Sequence, residues 1–220
     1  MDSHSTARQG PIGWAPTRRQ FGAAAAATAV SLVAASRSLA QDLALTAESP
    51  MGPFYPIQRP ADSDADMVWL KGHKARALGD VIEIEGRVTD IRGNPISGAR
   101  LDIWQANAAG RYAHSADISK AALDPNFQGF ASIASDSKGR WRITTIKPAG
   151  YDSPIGNRPP HIHFDIRGRT HRNVAQLYFP EDSGANARDL LYKTLGKGAA
   201  SSLAVRQAAG KYRWDIVLLG

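Results

Sequence analysis

From residue 81 onward the chain is a succession of short alternating runs cut by glycine, proline, asparagine and aspartate, and that period decides what it can fold into. Residues 81–88 (VIEIEGRV) alternate apolar and polar, and Ile91-Arg-Gly-Asn-Pro95 supplies a turn. Further runs follow at 99–105, 129–134, 141–146, 161–166, 173–178 and 211–218. Side chains two residues apart share a face of a strand, so each run offers one apolar face to a core. Several such strands separated by turns predict an all-β chain, a β-sandwich with extended loops and little helix. Two segments, 187–195 and 199–207, read as helix. With 220 residues, 43% of them hydrophobic, and 13 prolines, the chain can bury one ordinary core. No cysteine is present, which excludes disulfides, thiolate metal sites and a lipid-modified N-terminal cysteine.

The first 40 residues do not belong to that core. Thr17-Arg18-Arg19-Gln20-Phe21, an Ala-rich run over 22–35, and Ser38-Leu39-Ala40 before Gln41 read as a twin-arginine export signal with a small-x-small cleavage site. Gly22 and Ala23 stand where leucine and lysine are usual in such signals. The apolar run is too short and too rich in alanine for a stable membrane span. The expected organisation is therefore a signal over 1–40 and one domain over 41–220, acting outside the cytoplasm. Cleavage removes four arginines and Asp2 and lowers the net charge from +7 to +4. Much of the basic character belongs to the signal, and no nucleic-acid partner is expected. A homo-oligomer is left open.

The chemistry-bearing residues concentrate in two places. In Tyr151-Asp-Ser-Pro-Ile-Gly-Asn-Arg158-Pro-Pro-His161-Ile-His163-Phe-Asp-Ile166, a phenol, a guanidinium and two imidazoles gather around the start of a buried strand. His161 and His163 share one strand face, with Ile162, Phe164 and Ile166 on the other, and two imidazoles on one face can grip one metal ion. Upstream, the strand at 99–105 runs into a Gly-containing loop that delivers Tyr112, and such loops are where rigid scaffolds place chemistry.

These residues resemble the intradiol ring-cleaving catechol dioxygenases. The matching pieces run in order: Gly52-Pro-Phe-Tyr55-Pro, Gly86-Arg-Val-Thr-Asp-Ile-Arg-Gly-Asn-Pro-Ile-Ser-Gly-Ala99, Leu101-Asp-Ile-Trp-Gln-Ala-Asn-Ala-Ala-Gly-Arg-Tyr112, Phe127-Gln-Gly-Phe130, Gly139-Arg-Trp-Arg142, Pro148-Ala-Gly-Tyr151, Arg158-Pro-Pro-His-Ile-His-Phe164 and Gln176-Leu-Tyr-Phe179. Between Gln41 and the first strand there are too few residues for the helical dimerisation domain of catechol 1,2-dioxygenases, so the protocatechuate-type branch fits better.

The resemblance implies a non-haem Fe(III) held by Tyr112, Tyr151, His161 and His163. A small, highly charged ion of this kind favours anionic oxygen and accepts imidazole. Two phenolates and one hydroxide would cancel its three charges. It further implies a catechol-type substrate cleaved by O2 between its two hydroxylated carbons, giving a cis,cis-muconate-type diacid. Tyr151 matches the ligand that leaves and takes a substrate proton, Arg158 the guanidinium that stabilises the ring anion, and Gln176 a pocket residue. Tyr55 is the expected wall of the substrate pocket. Where many protocatechuate-type enzymes place an aromatic, two residues after the leaving tyrosine, this chain has Ser153, so its pocket is altered. Two other classes compete: a non-enzymatic transthyretin-like binding sandwich, which residues 86–99 also resemble, and a copper or zinc sandwich of the superoxide dismutase sort. Neither has a use for both Tyr112 and Tyr151.

Overall fold

Strand β1 (Val81–Asp90) organises the first sheet. Ile82, Ile84 and Val88 are buried while Glu85 on the opposite face is exposed, the alternation the sequence predicts. β1 pairs antiparallel with β4 (Arg140–Ile146) and parallel with β10 (Lys211–Arg213) and β11 (Ile216–Leu218), and β9 (Val205–Ala208) adds to β10. The turn after β1 is built by Asp90, whose carboxylate accepts from the backbone N–H of Arg92 and Asn94. The computed structural model describes residues 42–219, so the proposed export signal over 1–40 lies outside the described residues. Among the described residues no helix is long and apolar enough to cross a membrane.

The second sheet runs β3 (Phe130–Ala134), β2 (Arg100–Trp104), β7 (His161–Arg167), β8 (Arg172–Tyr178). Its inner face brings Leu101, Ile103, Ile162, Phe164, Ile166 and Leu177 against Ile82, Ile84 and Ile143 of the first sheet. Each such side chain contributes roughly 1.5–3 kcal/mol when fully buried, so this layer dominates stability. The expected sandwich is therefore what forms.

The outer face of the second sheet is also covered, and this is what makes a site. Trp104, Phe130 and Tyr112 pack there against Phe54 and Tyr55 from the N-terminal segment. β7 is consequently buried from His161 to Ile166 on both faces. One row further along, Asp102 and Asp165 stand opposite each other, both fully buried. Two carboxylates side by side would repel, but Arg59 and Arg100 pair with the first, and Arg167 and Arg172 with the second. Arg59 and the Tyr55 hydroxyl, both bound to Asp102, pin the N-terminal segment to the sheet.

Three local expectations are corrected. Residues 187–195 do not form one helix: α1 (Ser183–Asn186) and α2 (Leu190–Thr194) are separated because Asp189 adopts an extended conformation and caps α2, its carboxylate accepting from the N–H of Tyr192. Residues 199–207 are not helical throughout; a 3-10 turn over Gly196–Ser202 gives way to β9, whose backbone is taken by β10. The run 211–218 is interrupted at Trp214 and Asp215. At the interruption the chain crowds β1 without shifting register, since a Cβ on Gly86 would sit 1.8 Å from the Trp214 carbonyl oxygen, an approach only glycine allows.

A β5–β6 hairpin (Tyr151–Ser153, Gly156–Arg158) completes the strands that position the site, and it sets Tyr151 opposite Arg158.

Candidate metal centre

Sheet register places the two imidazoles, and a loop and the β5–β6 hairpin bring the two phenols to them. On β7, His161 lies opposite Tyr178, and His163 lies between Trp104 and Gln176. The His163 ring stacks on Trp104 at a centroid distance of 4.8 Å, fixing its plane. The Nδ1 of His161 donates to the Pro159 carbonyl at 2.6 Å, which commits its proton to that side and leaves Nε2 as a lone pair. That Nε2 sits 3.2 Å from the Nε2 of His163 and 3.4 Å from the Tyr151 hydroxyl.

Tyr112 arrives from a loop held by its own side chains. Asn107 accepts from the N–H of Ala109 and Arg111, and the Asp117 carboxylate accepts from the N–H of Tyr112 at 2.7 Å. Gly110 has φ +76, and a Cβ there would lie 2.4 Å from the Gly150 carbonyl oxygen, so this loop packs directly on the connection leading to Tyr151. Tyr112 and Tyr151 meet edge to face with centroids 5.4 Å apart, and Phe54 stacks on Tyr112 at 4.4 Å. The structure thus brings together all four expected ligands.

The electrostatics of this cluster suit a cation. Burial first, and then the Arg158 charge, push the His161 imidazole down to about 3, and burial and the neighbouring His161 hold His163 well below its usual range. Both rings are therefore neutral, with nitrogens available as ligands. Burial raises both phenols above the ordinary tyrosine value, Tyr112 strongly, with the adjacent Tyr151 adding to it. The Tyr112 hydroxyl and His163 Nδ1 are buried without a hydrogen-bond partner. A phenol hydroxyl and a ring nitrogen left unpartnered in one buried cluster are a costly arrangement unless a positive ion sits among them. Among the described residues no group of three or more His, Cys, Asp or Glu converges as a metal site, so an ion here would need the phenol oxygens. The donor set fits a hard, high-valent metal.

Arg158 is 4% exposed and lies beside the cluster. Its Nη2 donates to Gln176 Oε1 at 2.6 Å and to the Tyr178 hydroxyl at 3.2 Å, and its Nε lies 2.9 Å from Asp189 Oδ1. Burial works against its charge, but the Tyr178, Tyr151 and Asp189 oxygens outweigh it and keep the guanidinium charged. Tyr178 and Asp189 were not anticipated from sequence. Asp189 before Leu-Leu-Tyr carries a helix-cap signal, but nothing local announces that its carboxylate also reaches Arg158 and the Tyr178 hydroxyl, the latter at 2.8 Å.

A cavity of about 980 Å³ opens over the cluster, lined by Phe54, Tyr151, Arg158, His163 and Gln176 among others. The expected wall residue Tyr55 is not among its lining. Its hydroxyl donates to Asp102 at 2.9 Å and its ring packs on Trp104, so Phe54, one residue earlier, is the aromatic that faces the cavity. Phe54 and Tyr55 lie in a turn, and the Asp102 anchor holds the Tyr55 ring away from the cavity.

Residues 51–220 match a family model described as dioxygenase. The chain is 38% identical over 184 residues to the protocatechuate 3,4-dioxygenase beta chain of Burkholderia cepacia, covering 76% of this chain and 77% of that one. It is 29% identical over 151 residues to catechol 1,2-dioxygenase of Candida albicans, covering 62% of this chain but only 48% of that longer relative. An intradiol ring-cleavage dioxygenase from Tetranychus urticae shares the fold, with a TM-score of 0.63 at 18% identity over 80% of this chain and 94% of that one. With this sandwich, these colinear motifs and this extent of match, the chain belongs to the intradiol ring-cleaving dioxygenase family.

Proposed function

We propose that this chain is a non-haem Fe(III)-dependent dioxygenase that opens the ring of catechols between the two hydroxylated carbons, using O2 and giving cis,cis-muconate-type diacids. The observation that carries this reading is the convergence of two neutral imidazoles with one buried and one partly buried phenol, of which Tyr151 and His163 line the cavity, with a buried guanidinium alongside. The relatives are named for protocatechuate and catechol, both ring diols, which supports the substrate class.

In this reading Tyr112, Tyr151, His161 and His163 hold the metal. Fe(III) held there would supply Lewis acidity toward a bound ring diol. The two tyrosines differ in what they can do. Tyr112 is 3% exposed, whereas Tyr151 is only partly buried, borders the cavity and sits on a short hairpin. Tyr151 is therefore the phenol that can move aside, and a phenolate released where burial favours the neutral form is a strong base for a substrate hydroxyl proton. Arg158 has Nη2 hydrogen-bonded to Gln176 and Tyr178 and its Nε ion-paired with Asp189 without a hydrogen bond, while among the described residues no protein acceptor takes Nη1. That fixed donor is available to negative charge developing on the ring. Gln176, held by Arg158 and by the Pro50 carbonyl, lines the same wall. Oxygen uptake with a panel of catechols, with mass identification of products carrying both oxygen atoms, tests the assignment. A protein that binds iron yet consumes no oxygen with any catechol would refute it.

We further propose export by the twin-arginine route, so that the enzyme acts outside the cytoplasm and travels folded around its metal. The support is Arg18-Arg19-Gln20-Phe21, the Ala-rich run and the small-x-small site before Gln41. Changing Arg18 and Arg19 to Lys should strand full-length, active enzyme in the cytoplasm. Unaltered protein recovered there with residues 1–40 intact would refute export without touching the iron chemistry.

A further inference from the structure

We infer that the cavity selects catechols bearing an apolar substituent opposite the diol, such as a 4-alkyl or 4-aryl group, over catechols bearing a carboxylate there. This rests on the dioxygenase reading just given and adds the substrate class to it. The inner wall is buried and polar, with Arg158, His163 and Gln176, whereas the outer wall runs past Pro154, Ile155, Ile118 and Leu191. A diol edge seated at Tyr151 and His163 therefore turns the far edge of the ring toward this outer wall. Pockets for drug-sized ligands span roughly 300–1,000 Å³, so about 980 Å³ is far more than one six-membered ring fills.

The outer wall is unusually apolar for a surface. Ile118 is 93% exposed and Ile155 45%, while every isoleucine of the strands is buried or partly buried. Two large aliphatic side chains left in water at the mouth of one cavity mark a surface that gains by being covered. Ser153 does not narrow the opening, because its hydroxyl donates to the Gly156 carbonyl inside its own hairpin.

The charged groups of the lining give a carboxylate little to bind. Asp117 is engaged by the N–H groups of Tyr112 and Ser119, and Asp152 by Asn157. Arg158 is buried beside His163 and Gln176 at the diol end of the cavity and not at the outer wall. Among the described residues of the lining, Lys120 is the one cation without a carboxylate partner, and it is exposed, where a hydrated ammonium adds little affinity.

The test is calorimetric titration of the iron-loaded protein without oxygen, using catechol, 4-tert-butylcatechol and 3,4-dihydroxybenzoate, followed by oxygen uptake with each. The tert-butyl compound should bind about fivefold tighter than catechol, in keeping with partial burial of its added carbons, and tighter than the carboxylate. The double variant Ile118→Ser, Ile155→Ser should cut that preference below twofold while its melting temperature stays unchanged, since both side chains are at the surface. Tighter binding of 3,4-dihydroxybenzoate would overturn the inference and hand selection to Lys120; equal binding of catechol and its tert-butyl derivative would overturn it too. If oxygen is consumed with catechol in either of those cases, the dioxygenase reading stands and only the selectivity fails. No binding and no uptake with all three compounds brings down both.

Discussion

The Arg158 guanidinium and the Asp189 carboxylate lie 2.9 Å apart with 5% and 1% of their side chains exposed, joining the rim of the candidate metal centre to the cap of helix α2. Removing one partner of such a pair leaves the other as an uncompensated buried charge, at a cost of about 3–5 kcal/mol. Asp189→Ala should therefore unfold several kcal/mol more easily in denaturant. Asp189→Asn, which keeps the shape, should lose less stability yet lower kcat at least tenfold, because the guanidinium is no longer held in place. Its iron content and visible absorption should be those of the parent. Loss of iron in Asp189→Asn would place the pair in the metal cage instead.

His161→Ala and Tyr112→Phe should lose iron or all activity, since each removes a proposed ligand. Arg158→Ala should retain iron and the tyrosinate-to-iron colour but lose turnover. Metal analysis and absorption of the purified variants separate the two groups. Equal loss of iron in Arg158→Ala and His161→Ala would erase the distinction between ligand and charge stabiliser.

Gly110→Ala, at a buried loop position, should be among the more damaging loop changes. It combines a positive φ with a Cβ placed 2.4 Å from the Gly150 carbonyl oxygen, and that backbone cannot yield without moving Tyr151. A loss of roughly 2 kcal/mol or more is expected, together with weakened iron retention, because the loops carrying both tyrosines must part. An alanine variant with parental stability and iron content would show that the two loops are not coupled.

Acid should weaken a cluster outside the cavity lining. Lys147 pairs with Glu181 and Asp182 at 2.9 Å each, and the Tyr212 hydroxyl donates to Glu181. Burial alone would raise the Glu181 carboxyl, but the bonds from Tyr212 and Lys147 prevail and hold it below its ordinary 4.5. A depressed carboxyl stabilises the fold above its unfolded value, and that contribution fades as pH falls through the folded value. Glu181→Gln should therefore cost up to about 1 kcal/mol near pH 7, and the difference should shrink as the solution is acidified below the ordinary carboxyl value of 4.5. Denaturation curves at neutral and acid pH decide it; an unchanged difference would remove Glu181 as its source.

The strands and the imidazole pair were legible in the sequence because both follow from a two-residue period. Alternation at 81–88 and at 161–166 needs no knowledge of partners, and it correctly placed Ile82 and Phe164 inside and His161 and His163 on one face. Tyr112 and Tyr151 were legible only through motif resemblance, since no local pattern says that two loops will meet.

What tertiary structure alone decided is where chains far apart in sequence come within a few ångströms. The Asp102 carboxylate, bound by Tyr55 and Arg59, is what turns Phe54 and not Tyr55 toward the cavity. A run that reads as one strand is interrupted where the Trp214 carbonyl packs on Gly86, and an extended Asp189 breaks a run that reads as one helix while reaching across to Arg158. Side-chain periodicity is a property of the backbone's own repeat and so is written locally. Which buried charge meets which, and which side chain a close approach leaves room for, depends on the packing of whole sheets and has no local signature.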